Sequence, residues 1–132
     1  MKYTTLVFAL ILVIACKQPS KPDEKSIEKQ QNECDRFRTG TFKMIADGDE
    51  HEYIITRREN IQKEKTSETE VALKINWLDE CSYEIITIDK NLAGPETIKV
   101  LLSNIRGDTC SYEAIPDNIM YPKQKGIFII QK

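Results

Sequence analysis

The stretch VALKINWL, residues 71–78, decides the fold. Val71, Leu73, Ile75 and Trp77 alternate with Ala72, Lys74, Asn76 and Leu78. A period of two sends the first set to one side of a strand and the second set to the other. One side is apolar and the other is largely wet, which is the pattern of an antiparallel strand with one face in a core.

The same period holds outward from this stretch, from Cys34 to the C-terminus. It predicts further strands over 37–46, 52–58, 60–66, 81–90, 96–105, 109–115 and 125–131. β-Branched runs fill them, as in Ile54-Ile55-Thr56, Ile85-Ile86-Thr87-Ile88 and Ile129-Ile130. Asp47-Gly48-Asp49, Ala93-Gly94-Pro95 and Arg106-Gly107-Asp108 supply turn chemistry between them. Pro116-Asp117-Asn118 and Tyr121-Pro122 mark a longer loop before the last strand. The fold expected is all-β: a single antiparallel up-and-down meander of about eight strands, closed as a barrel or open as a half-barrel. The lysine-rich segment 61–65 reads as a guarded sheet edge. DECSYE (79–84) and DTCSYE (108–113) echo each other at two strand starts, which is too little for a repeat architecture.

Upstream of the meander the chain has a different character. It opens MKYTTLVFALILVIAC, with Lys2 ahead of an apolar run from Leu6 to Ala15. That run is too short to span a hydrocarbon core of roughly 30 Å as a helix. It fits the apolar core of a secretory signal. Val13-Ile14-Ala15-Cys16 resembles a bacterial lipobox. The resemblance implies cleavage after residue 15, lipid attachment at Cys16 and membrane anchoring through acyl chains, each buried methylene contributing about 0.8 kcal/mol. Residues 16–33 hold one aliphatic side chain, Ile27, and no aromatic, and Pro19 and Pro22 keep the first half extended. They read as a polar tether, reaching roughly 55 Å when fully extended. The domains expected are a signal peptide (1–15), an anchored tether (16–33) and the meander (34–132). Lys17 after Cys16 is not the aspartate that retains some lipoproteins at the inner membrane. The location expected is the cell membrane or outer membrane, with the domain in the periplasm or at the cell surface.

Composition narrows the function classes. The chain has 132 residues, 19 basic and 21 acidic, and a formal net charge of -2. This balance gives no concentrated basic surface for nucleic acid. One histidine and no His/Cys cluster argue against a zinc or other transition-metal site. Asp47, Asp49 and Glu50 beside His51 read as a solvated turn, because a calcium loop needs more oxygen ligands at longer spacing. There is no phosphate-binding glycine loop and no nucleophile elbow, so no cofactor and no enzymatic activity are expected.

Cys16 apart, three cysteines remain in an exported chain, where disulfides persist. In a meander the strands starting at Cys81 and Cys110 are separated by another strand. Two strand spacings of roughly 9.6 Å exceed the reach of a bridge. Cys34–Cys81 is the first choice, Cys34–Cys110 the second, and three thiols the third. Arg57 and Arg58 are adjacent, so alternation sends one inward, to meet an anionic ligand or to pair with Glu64 on the next strand. Trp77 lies on the apolar face of its strand. Tyr53, Tyr83 and Tyr112 suit either a pocket mouth or rim packing. Arg57, Trp77, Tyr53 and Tyr83 are the candidate ligand contacts.

Two resemblances accompany this reading. Arg38-Thr39-Gly40-Thr41-Phe42 resembles the glycine-x-tryptophan opening of lipocalin-like barrels, with phenylalanine in place of tryptophan. A wider set is Cys34, Phe37, Gly40 and Phe42, then Tyr53, Arg57, Gln62 and Glu64, then Trp77, Asp79, Cys81 and Tyr83. It is similar to a group of small lipoproteins of Bacteroidetes-type bacteria. That group implies a lipid-anchored lipocalin-like β-meander and no particular activity. Some of its members carry a DNA topoisomerase IV label, which an exported, acidic chain of this size contradicts. The functions expected are a module binding a small apolar or amphipathic ligand, or a ligand-free accessory protein with an envelope protein partner.

Overall fold

The computed structural model describes residues 33–132. The expected signal segment, Cys16 and all of the tether except Glu33 lie outside the described residues. The strands are β1 (Gly40–Ala46), β2 (Glu52–Arg58), β3 (Ile61–Lys65), β4 (Glu70–Trp77), β5 (Ser82–Thr87), β6 (Thr97–Arg106), β7 (Thr109–Pro116) and β8 (Gln124–Ile130). Each pairs antiparallel with the next, and β8 returns to β1 from Phe42↔Ile130 to Ala46↔Gly126. The meander is therefore a closed eight-stranded barrel, the up-and-down closure also seen in lipocalins. Every strand has partners on both sides within 33–132, so the ring needs nothing from the preceding chain to be complete.

Closure corrects one expectation. Residues 61–65 do not form an edge, because β3 pairs with β2 through Arg58↔Ile61 and with β4 through Ile61↔Lys74. Lys63 and Lys65 instead occupy the wet face of a strand inside the ring. The expected strand start at residue 37 is also corrected. Asp35–Phe37 form one turn of 3-10 helix, and β1 begins at Gly40. Gly40 has φ +124°, a region L side chains rarely adopt, where the chain swings from this cap into the barrel wall. In β6 the register shifts between Ser103 and Arg106, with Asn104 left-handed at φ 49°. That is a bulge at a residue type that tolerates it.

The barrel has two unlike ends. At one, the cap lies across the opening. Arg36 donates to the backbone oxygen of Gly107 at 2.8 Å and pairs with Asp108 at 2.6 Å, reaching the β6–β7 turn. Arg38 donates to the backbone oxygen of Asp79 at 3.0 Å, reaching the β4–β5 turn. Cys34 and Cys81 pair at disulfide distance, with Cα atoms 5.3 Å apart. Among the described residues Cys110 is the free cysteine, buried in the core. The first-choice pairing thus holds.

Side chains fill the interior. Phe37 stacks on Phe42 (centroids 5.8 Å), Phe42 meets Phe128 edge-on (6.4 Å), and Tyr112 tilts against Phe128 (4.7 Å). Ile55, Leu73, Ile75, Ile85, Val100 and Leu102 complete the core. An eight-stranded barrel holds either one small ligand or its own side chains, and the middle of this one is occupied by the latter. Gly126 is required here: a Cβ on it would come within 2.1 Å of the Ile45 carbonyl oxygen and 2.9 Å of the Tyr112 ring.

Candidate functional site

The inward positions of β2 are Tyr53, Ile55 and Arg57, and those of β3 are Gln62 and Glu64. Alternation thus puts a guanidinium into the core beside an amide, since Arg57 and Gln62 are register partners. Arg57 is 2% exposed. It donates from Nε to Gln62 Oε1 at 2.7 Å, from Nη1 to the Phe37 carbonyl oxygen at 2.6 Å, and from Nη2 to the Tyr83 hydroxyl. Its plane is sandwiched among Phe42, Tyr83 and Phe128, with ring centroids at 5.1, 4.7 and 4.7 Å. A buried cation is tolerated when its donors are met and π faces surround it.

Gln62 passes the polarity along the barrel, donating from Nε2 to Glu64 Oε1 at 2.6 Å. Arg57 and Glu64 are thus linked through Gln62. Burial holds the Glu64 carboxyl above its usual range, against the pull of the Gln62 hydrogen bond and the Arg57 charge. Burial likewise raises the Tyr83 hydroxyl, with Arg57 opposing.

Glu64 opens the uncapped end. There Tyr53 donates to Asp49 Oδ2 at 3.0 Å, and Asp49 also accepts from the His51 backbone nitrogen at 2.9 Å. These bonds, the His51 ones first, hold Asp49 below the usual carboxylate range. Tyr112 is the exception in this polar rim. The residue is 4% exposed and, among the described residues, its hydroxyl has no hydrogen-bond partner. Burial, then the charges of Asp47 and Glu64, push that hydroxyl up to about 12.

One inward position beyond Tyr112 on β7, at Ala114, the mouth opens into a cleft of about 600 Å³ whose lining includes Ile98, Ala114, Asp47, Pro116 and Tyr121. Ile98 and Ala114 also pack on the core, so the cleft continues the barrel interior. Apolar walls with a few convergent polar groups suit a small amphipathic molecule.

The four sequence-derived contacts do not converge. Arg57, Tyr83 and Trp77 come together at the capped end, where Trp77 packs on Tyr83 (4.7 Å) and under Arg38 (4.6 Å). Tyr53 alone lies at the open mouth. Arg57 and Tyr83 face each other within the core and present no surface to a ligand. Sequence reasoning did not single out the cleft as a site. The available signal was alternation over 109–115, which puts Cys110, Tyr112 and Ala114 on one face. Cys110 is sealed in the core, and burial pushes its thiol up to about 12. His51 is exposed on the β1–β2 turn, bound to Asp49 at 2.7 Å. Among the described residues no group of three or more His, Cys, Asp or Glu is placed to hold a metal ion. No protein-family model, curated protein or solved structure matches the chain.

Proposed function

We propose that this chain is a lipid-anchored cell-envelope lipoprotein whose barrel binds a small amphipathic ligand at its open mouth. The carrying observation is the cleft of about 600 Å³ at the open mouth, whose wall residues Ile98 and Ala114 also pack on the core. Its apolar walls beside Asp47, Lys123 and Lys125 offer an amphipathic molecule both burial and polar contacts. Anchoring rests on the lipobox-like Val13-Ile14-Ala15-Cys16 and on the resemblance of residues 34–83 to small lipoproteins. Incorporation of labelled palmitate, abolished by Cys16→Ser, tests that half.

Native mass spectrometry of the exported, thiol-blocked protein tests the ligand half. A retained mass that Ala114→Phe loses supports the site, since the larger side chain fills the cleft from its wall. A bare mass, unchanged on adding an extract of the producing cells, overturns it.

A second reading is a ligand-free accessory protein. It is favoured by the β7–β8 loop, where Ile119 and Met120 are 98% and 82% exposed. Adjacent exposed apolar side chains suit a protein partner. Crosslinking in intact cells that captures no reproducible partner through this loop counts against it.

A further inference from the structure

The outer wall near the cap carries a second feature. Register aligns Arg58, Ile61 and Lys74 across β2, β3 and β4, with Lys63 and Lys65 farther along β3. Lys63 is drawn to Glu70 at 3.7 Å, and Lys43 on β1 is paired with Glu52. Arg58, Lys65 and Lys74 are exposed and, among the described residues, have no ion-pair partner. Ile54 and Ile61, each 38% exposed, sit between these cations. A groove of about 740 Å³ runs through the patch, lined in part by Thr39, Thr56, Arg58, Ile61 and Lys63, with Glu59 as its carboxylate.

Position gives the patch a meaning. Thr39 and Gly40 lead directly from the cap into β1, so the groove lies at the capped end of the barrel, the end where the preceding chain enters through Cys34 and its link to Cys81. On the anchoring reading above, that chain is a tether of at most roughly 55 Å ending in a bilayer. The chain as a whole is acidic, with a formal net charge of -2. Cations interleaved with isoleucines beside the attachment point therefore complement an anionic lipid surface.

We propose that this flank of β2–β4 docks on an anionic phospholipid bilayer, laying the barrel against the membrane with its mouth directed sideways or away. The proposal takes only the nearness of the bilayer from the anchoring reading; lipid binding by the flank is separable from it. The test uses the chain from Lys17 onward, which carries no lipid and includes the whole ring of strand pairings. Sedimentation with vesicles of phosphatidylcholine, alone or mixed with phosphatidylglycerol, is the readout. Binding is expected only to the mixed vesicles and is expected to fall as salt rises.

Each surface cation contributes about 1 kcal/mol near an anionic membrane, or about fivefold in affinity. The combined Arg58→Gln, Lys65→Gln and Lys74→Gln variant is then expected to bind about a hundredfold more weakly. Lys99→Gln with Lys123→Gln, away from the flank, is expected to bind as the parent does. Equal binding to both vesicle types, none to either, or an unchanged triple variant overturns the proposal. Capture by immobilised polyglutamate without vesicle binding also overturns it, in favour of an acidic protein partner.

Discussion

Arg57 is buried, so its charge is met by Gln62, the Phe37 carbonyl, Tyr83 and three aromatic faces. Arg57→Met leaves those acceptors without donors in the core. It is expected to lower unfolding free energy by about 3 kcal/mol or more, read by urea titration. Arg57→Lys should recover little, because an ammonium cannot reproduce the planar fork. Adding Gln62→Leu and Tyr83→Phe to Arg57→Met should restore part of the loss, since the stranded polar groups are then gone as well. Glu64 gives the opposite kind of test. Its folded pKa is raised above 4.5, so the native state binds more protons than the unfolded chain across that interval. Stability from this group is therefore full at acid pH and declines as pH rises from about 4.5 towards the folded value. Glu64→Gln is expected to gain on the parent in melting temperature through this window, then run parallel to it. Alternation in the sequence correctly gave an inward arginine at the end of β2. It could not give the partner, because Gln62 and Glu64 share one face of β3 and the hairpin register, which sets Gln62 opposite Arg57, chooses between them. Nor could it show that Tyr112, alone among the tyrosines considered, has an unanswered hydroxyl.

The strands were legible because their signal repeats every second residue, and β4 shows it most plainly. The cap was not, because one turn of 3-10 helix has no period to detect, and Phe37 looks as apolar as any strand residue. Likewise the apolar Ile88 suggests a longer β5, yet the strand stops at Thr87 and Ile88 is exposed at the rim. The cap depends on contacts distant in sequence. Reducing the Cys34–Cys81 pair, or changing both residues to serine, releases a loop spanning 47 positions. The chain-entropy account puts the loss at about 4 kcal/mol. Chemical denaturation with and without reductant measures it. Hydrogen exchange should show the cap and the β4–β5 turn loosening first, with the β1–β2 turn at the far end unaffected. Protection falling first at the open mouth would contradict this division of the barrel.

At the scale of the molecule, closure couples all eight strands, since opening any one pairing breaks the ring. Cys110 reports on that coupling. It is wholly buried, and its thiol is pushed up to about 12. Iodoacetamide is expected to leave it unmodified in the native protein and to label it at the midpoint of unfolding, in step with the loss of circular dichroism. Labelling well before the global transition would mean that the barrel opens piecemeal. Closure itself was only half legible: turn spacing gives a meander, but nothing local distinguishes a full ring from a half-barrel. The pairing of Ala46 with Gly126 decides it, through a residue with no side chain to read.

The Cys34–Cys81 link also sets a mechanical load path. Tension arriving along the chain before Cys34 need not peel the cap away residue by residue. It crosses the covalent link and enters the wall at Cys81, between β4 and β5. The non-covalent parts that carry it there include Cys81 N–H and Ser82 Oγ to the Asp79 carboxylate at 2.8 and 2.6 Å, and Leu102 N–H to the Cys81 carbonyl oxygen at 2.8 Å. Phe37 and the Arg57 contacts behind it are spared, so the barrel's interior is isolated from a pull on the chain ahead of Cys34.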